Sequence, residues 1–132
     1  MSTTPDCDVI VWGLGGMGSA AAWRLATAGA RVIGLDQFGP AHDRGSSHGE
    51  TRIIRKAYFE HPDYVPLLDV AYKLWRDLEQ GLASPLFHEV GLFLAGAPES
   101  VAVRGTVAAA AEHGLPLERL TAAQARGRFP GF

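Results

Sequence analysis

The chain has one cysteine, Cys7, so no internal disulfide can hold it together. A reducing compartment is therefore expected. Cys7 directly precedes an apolar run, where a small strand-edge residue is a simpler role than a reactive thiol. No Cys/His group has zinc-ligand spacing, so no metal is expected. No apolar run is long enough to span a bilayer. The start, MSTTPDCD, lacks the basic and apolar regions of a secretory signal, and a cytoplasmic protein is expected. Neither sign of charge dominates. Twelve Lys and Arg face 14 Asp and Glu, the net charge is −2, and the arginines are dispersed. That excludes an electrostatic footprint for nucleic acid. No internal repeat is visible, and the only biased stretch is the alanines at 108–111. With 132 residues, 47% of them apolar, the composition is that of an ordinary globular chain with room for one small domain.

What is present is concentrated between Asp8 and Asp36. Val9-Ile10-Val11-Trp12 reads as a strand. Gly13-x-Gly15-x-x-Gly18 follows, then an Ala-rich helix over about Gly16 to Ala28 closed by Gly29. A second strand over about Arg31 to Leu35 ends at Asp36. This is a βαβ unit with the dinucleotide-binding glycine pattern. Gly13 permits a tight turn, Gly15 lets a pyrophosphate approach the backbone, and Gly18 lets the helix lie close to the sheet. The helix start offers N–H groups to phosphate, which places Leu14, Gly16 and Met17 at the cofactor as well. Asp36 can accept hydrogen bonds from two ribose hydroxyls and would repel a 2′-phosphate. The unit alone does not separate NAD from FAD. Met17, Ala20, Ala21 and Leu25 are expected on the sheet side.

After Asp36 the pattern changes. Residues 37–50 hold Gly39-Pro40, Gly45-Ser46-Ser47 and Gly49, and read as a long, functional loop. Thr51 to Tyr58 fits a short helix or a strand-like turn. Asp63 is expected to cap a helix through about Gln80, with Tyr64, Leu67, Leu68, Ala71, Leu74, Trp75 and Leu78 as a core stripe. Phe87 to Ala95 reads as a strand, and Ser100 to His113 as a helix closed by Gly114. Thr121-x-x-Gln124 is a capping box for a last helix. An NAD-binding domain would continue in regular β-α alternation. This chain leaves that order after two strands, as FAD-binding domains with interrupted sheets do.

The stretch Gly45 to Tyr58, GSSHGETRIIRKAY, carries more than composition. With the βαβ unit, DYVPLL at Asp63–Leu68, VGLFLAG at Val90–Gly96, AAAEHGL and the final RFPGF, it resembles the monomeric sarcosine oxidase and N-methyltryptophan oxidase family. These are FAD-dependent amine oxidases of the D-amino-acid-oxidase-like kind, and the likeness covers nearly the whole chain. The resemblance implies an α/β fold: an FAD-binding Rossmann-like βαβ start of an interrupted parallel sheet, then the beginning of a substrate domain. It implies that Gly13, Gly15 and Gly18 meet the FAD pyrophosphate and that Asp36 meets the adenosine ribose. Ser46, Ser47, His48 and Thr51 fall where the loop reaches the flavin. Arg52 matches the arginine beside the flavin ring, and Arg55 the one that pairs with the substrate carboxylate. His48 and Arg52 are the catalytic candidates.

The residues are compatible with those roles. On a helix, Arg52 and Arg55 would share a face. A guanidinium holds a carboxylate with paired hydrogen bonds, and a cation favours charge on a reduced flavin. The plainer alternative is that both are surface ion-pair partners of Glu50 or Glu60, and that His48 is structural. His42 and Arg44 are expected to face solvent, and Glu50 to be structural or solvated. The family's flavin-linking cysteine and oxygen-activating lysine lie downstream of anything present here. Cys7 cannot be that cysteine, and the chain reads as a truncated piece. The expected function is oxidation of N-methyl or secondary amino acids, amine to imine, with molecular oxygen as acceptor and hydrogen peroxide released. An NAD-dependent Rossmann dehydrogenase and a non-catalytic fragment remain as alternatives. The expected layout is the start of the FAD domain over 1–60 and segments leading into the substrate domain over 61–132.

Overall fold

A computed structural model describes residues 6–131. The disordered tail expected over residues 1–6 lies outside them, apart from Asp6. The chain forms two compact units that divide between Ile53 and Ile54.

The first unit is the expected βαβ. Strand β1 is Val9–Trp12, helix α1 is Gly16–Thr27 and strand β2 is Val32–Leu35. The strands pair in parallel, from Val9 opposite Val32 to Trp12 opposite Leu35. Asp8 fixes the register at the entry. Its carboxylate accepts from the Arg31 backbone N–H at 2.8 Å and from the guanidinium at 2.8 and 3.2 Å. That guanidinium holds the Asp8 carboxyl below its ordinary pKa. Helix α1 ends at Gly29, whose φ of 92° only glycine adopts freely. There the N–H groups of Gly29 and Ala30 return to the carbonyls of Ala26 and Leu25 at 2.9 and 3.0 Å, the double bond of a Schellman end.

Of the four residues expected on the sheet side, only Leu25 is partly covered. Gly18, Ala22 and Leu25 are partly covered, whereas Ala20 and Ala21 are exposed and Met17 is 89% exposed. Gly18 decides this. A Cβ there would stand 1.8 Å from the Gly13 carbonyl oxygen, so the helix crosses the loop at this residue. Positions four and seven further on then turn inward, and Met17 turns out.

The second unit carries α2 (Tyr64–Glu79), α3 (Val101–Glu112) and α4 (Ala122–Arg128). Ser100 caps α3 through the Val103 N–H, Gly114 follows the end at φ 61°, and Thr121 and Gln124 form the expected capping box. Four expectations fail. Phe87 to Ala95 is not a strand, because a strand needs a ladder partner and the only paired strands among the described residues are β1 and β2. Glu79 instead accepts the Leu86 and Phe87 N–H groups at 3.0 and 3.1 Å, and Arg76 donates to the Phe87 carbonyl at 3.0 Å. Thr51 to Tyr58 is neither helix nor strand, so Arg52 and Arg55 share no helical face. Asp63 makes no side-chain cap. Its carboxylate lies 3.4 Å from His61 Nδ1. Finally, the α2 stripe is only half a core. Leu68, Ala71 and Leu74 are partly covered, but Tyr64, Leu67, Trp75 and Leu78 are exposed.

Close packing in this unit falls on irregular chain. A Cβ at Gly105 of α3 would stand 2.0 Å from the Phe59 carbonyl oxygen. Tyr72 and Phe87 meet edge-on at 4.9 Å, and Phe93 and Phe129 pack at 4.5 Å.

Candidate cofactor and substrate site

The loop after β1 is arranged by backbone geometry. Gly13 takes φ 92° and donates its N–H to the Leu35 carbonyl at 2.7 Å, which turns the chain over the end of β2. The Leu14 N–H points at Asp36 Oδ2, 2.6 Å away. Gly15 heads α1 without a side chain, and a Cβ built there would touch nothing within 4 Å. The outer face of the turn is therefore bare. A helix start leaves its first N–H groups without intrahelical acceptors. Of these, Gly16 donates to Ser47 Oγ at 3.2 Å, while Met17 and Gly18 have no acceptor among the described residues. The macrodipole adds partial positive charge at the same place.

Asp36 stands across from this turn. Its side chain is 15% exposed. The Phe38 N–H reaches Oδ1 at 3.0 Å, an Asx turn, and His42 Nε2 lies 3.6 Å from the same oxygen. The Leu14 and Phe38 N–H groups hold the Asp36 carboxyl below its ordinary pKa, so it is a carboxylate at neutral pH. Ionised carboxylates offer about four lone-pair sites, and the backbone uses two here.

The loop of residues 37–50 folds back on itself. His48 Nδ1 faces the Gly45 carbonyl and must donate to it. The Arg52 guanidinium gathers carbonyls: Nη2 donates to Ser46 at 2.7 Å and to His48, and Nε to Ser47 at 3.4 Å. Arg52 thereby holds the segment that brings the Ser47 hydroxyl to α1. Thr51 is exposed. Arg44 is exposed as expected, beside Asp43 at 3.2 Å, but His42 is not solvent-facing: its side chain is 22% exposed. Sequence reasoning missed His42. An Asx turn followed by an aromatic residue and a histidine four positions later was the available signal, since Phe38 and His42 meet edge-on at 4.9 Å.

Arg55 belongs to the second unit. Its Nη2 donates to both Glu60 oxygens, at 2.7 and 2.9 Å, which is the ion pair of the plainer alternative. Its Cζ also lies 4.5 Å from the Tyr58 ring centre and 4.6 Å from that of Phe59. Arg55 Nε is buried and has no hydrogen-bond partner among the described residues.

A βαβ unit with a bare glycine turn, open helix-start donors and a terminal carboxylate defines a dinucleotide-binding α/β protein. Within that class the chain belongs to the FAD dependent oxidoreductase family, whose profile matches residues 8–132. FAD is the cofactor of that family, and the residues present fit it. The chain is 50% identical over 127 residues to monomeric sarcosine oxidase of Streptomyces avermitilis, covering 96% of this chain and 33% of the relative. It is 41% identical over 132 residues to monomeric sarcosine oxidase of an Arthrobacter species, covering 99% and 34%. It is 39% identical over 127 residues to N-methyl-L-tryptophan oxidase of Yersinia pestis, covering 96% and 34%. The chain thus spans about a third of the length of these curated relatives.

Proposed function

We propose that this chain is the cofactor-binding part of an oxidase of N-methyl or secondary amino acids. The reaction takes amine to imine, with molecular oxygen as acceptor and hydrogen peroxide as second product. The observation that supports it is the turn of Gly13 to Gly18, open on its outer face and set across from the Asp36 carboxylate. Bound FAD supplies the two-electron oxidation. The chain supplies position and charge. The N–H groups of Met17 and Gly18 are the donors proposed for pyrophosphate, with the Ser47 hydroxyl beside them. Ser46, His48 and Thr51 are proposed cofactor contacts on the same loop. Arg52 is proposed to lend positive charge at the flavin, with His48 as the second catalytic candidate. Arg55 is proposed to take the substrate carboxylate, a role supported by its hold on both oxygens of Glu60 and by its unused Nε. An amino acid would have to displace Glu60. A cytoplasmic location is part of the proposal; among the described residues no helix is long and apolar enough to cross a membrane.

The test is the visible absorbance of the purified protein. A bound-flavin band that bleaches when sarcosine or another N-methyl amino acid is added without oxygen supports the proposal. Absence of flavin, with NADH fluorescence enhanced on binding instead, rejects it in favour of a nicotinamide dehydrogenase. The reading as a non-catalytic fragment draws on the exposed apolar residues of both units. Flavin binding without reduction by any amine favours it.

A further inference from the structure

His42 stands beside the proposed ribose carboxylate, and its two ring nitrogens are differently engaged. Nδ1 accepts the Arg44 backbone N–H at 3.0 Å. A nitrogen that accepts carries no proton, so in the neutral ring the proton is on Nε2. Nε2 is the nitrogen that faces Asp36 Oδ1, 3.6 Å away. That is beyond hydrogen-bond length, so the contact is electrostatic: a polarised N–H or a cation set against a carboxylate. The ring is held by the edge of Phe38, whose own N–H binds the same Oδ1. One side of the carboxylate is thus fixed by Leu14 and the other by Phe38 and His42. The other charges nearby are Arg44, 5.8 Å from the Phe38 ring centre, and Asp43, which pairs with Arg44.

We propose that His42 is a positioning residue, whose Nε2 edge holds the Asp36 carboxylate so that its unused lone pairs are left for the hydroxyls of an adenosine ribose. The proposal rests on the dinucleotide reading of the site. It gives a task to a loop histidine that lies outside the glycine pattern. Its strength is that the two nitrogens can be separated by substitution. Asparagine places its amide oxygen near where Nδ1 lies, so His42→Asn keeps the Arg44 turn and loses the group facing Asp36. Glutamine reaches to the place of Nε2, so His42→Gln keeps a donor toward Asp36 and loses the turn contact.

The experiment has two arms. In the first, without ligand, the Asp36 carboxyl is titrated by carbon NMR in the parent and both variants. Its midpoint should move up in both, because the electrostatic attraction of the His42 ring for the carboxylate is gone; an unmoved midpoint overturns the proposal. In the second, ADP and 2′-deoxy-ADP binding are measured by calorimetry. His42→Asn should bind ADP about fivefold more weakly than the parent and His42→Gln within about twofold, in keeping with one hydrogen-bond-sized contact. The loss should shrink with 2′-deoxy-ADP, which has one ribose hydroxyl fewer to place. The reverse order of variants, or equal losses on both nucleotides, overturns the proposal, since His42 would then serve the turn alone. A parent that binds no ADP sinks the dinucleotide reading instead, and the first arm still decides whether His42 governs Asp36.

Discussion

The unit through Ile53 and the unit from Ile54 are held by different forces. In the first, main-chain hydrogen bonds and a few short polar side chains set every turn around the glycine loop: Gly13 to Leu35, Leu14 to Asp36, Gly16 to Ser47. In the second, helices leave apolar residues partly exposed, such as Leu67, Trp75 and Leu78 on α2. Among the described residues its buried apolar positions are Val65, Ala109 and Ala110. Two arginines three positions apart show the contrast. Arg52 collects backbone carbonyls, whereas Arg55 takes a carboxylate and lies against two rings. Each backbone-directed contact is satisfied by a single partner, even across 22 or 31 positions of chain. Apolar burial is non-local and needs a second surface.

The sharpest way to break this comparison is a pair of methyl groups. Gly18→Ala and Gly105→Ala each drive a Cβ to about 2 Å from a carbonyl oxygen, so each should destabilise its own unit by about 3 kcal/mol, the cost of severe overpacking. Only Gly18→Ala should abolish ADP binding in calorimetry. If Gly105→Ala removes it equally, the units are not separable in function.

Next in size is Asp36→Asn. The amide cannot accept from Leu14 and Phe38 as a carboxylate does, and it loses its charge toward the ribose. ADP affinity should fall about tenfold or more, as for loss of a charge-assisted hydrogen bond. The same substitution reads the pH dependence. Because the folded-state pKa of Asp36 is lowered, chiefly by the Leu14 N–H, its stabilising contribution is present above the ordinary carboxylate pKa. That contribution is lost as pH falls through the folded value. The stability gap between parent and Asp36→Asn in denaturant titrations should therefore close on acidification. A gap that widens would contradict the sign.

The smallest effect belongs to the second unit. Thr121→Ala removes the capping box of α4 and should cost about 1 kcal/mol, seen as fraying of α4 in amide exchange. Nucleotide binding should not change. A lowered ADP affinity in this variant would erase the distinction between the two units.

The legible parts were those written in neighbouring residues. Gly13, Gly18 and Gly29 announce positions where a side chain has no room or the backbone turns left-handed, and each is used that way. No local pattern marks Asp8 and Arg31, although their pairing sets the entry to both strands, because the contact spans 23 positions. Apart from Leu25, the sheet side of α1 is not legible in the sequence for a related reason. Periodicity gives the spacing of a face, but the contact between Gly18 and Gly13 gives its direction. Phe87 to Ala95 has the residues of a strand and no ladder partner among the described residues. His42 looked like one more polar loop residue until the Asx turn at Asp36 folded the chain back beneath it.

By itself the sequence determined the βαβ start, the helix ends and the family, because glycine, capping residues and β-branched runs act over a few positions through sterics and backbone hydrogen bonding. The tertiary structure alone decided which face of α1 meets the sheet and which nitrogen of His42 meets Asp36. It also turned Arg52 toward carbonyls and Arg55 toward Glu60. Those choices depend on groups brought within a few ångströms by folding, where short-range repulsion and Coulomb attraction are strong and sequence distance has no bearing.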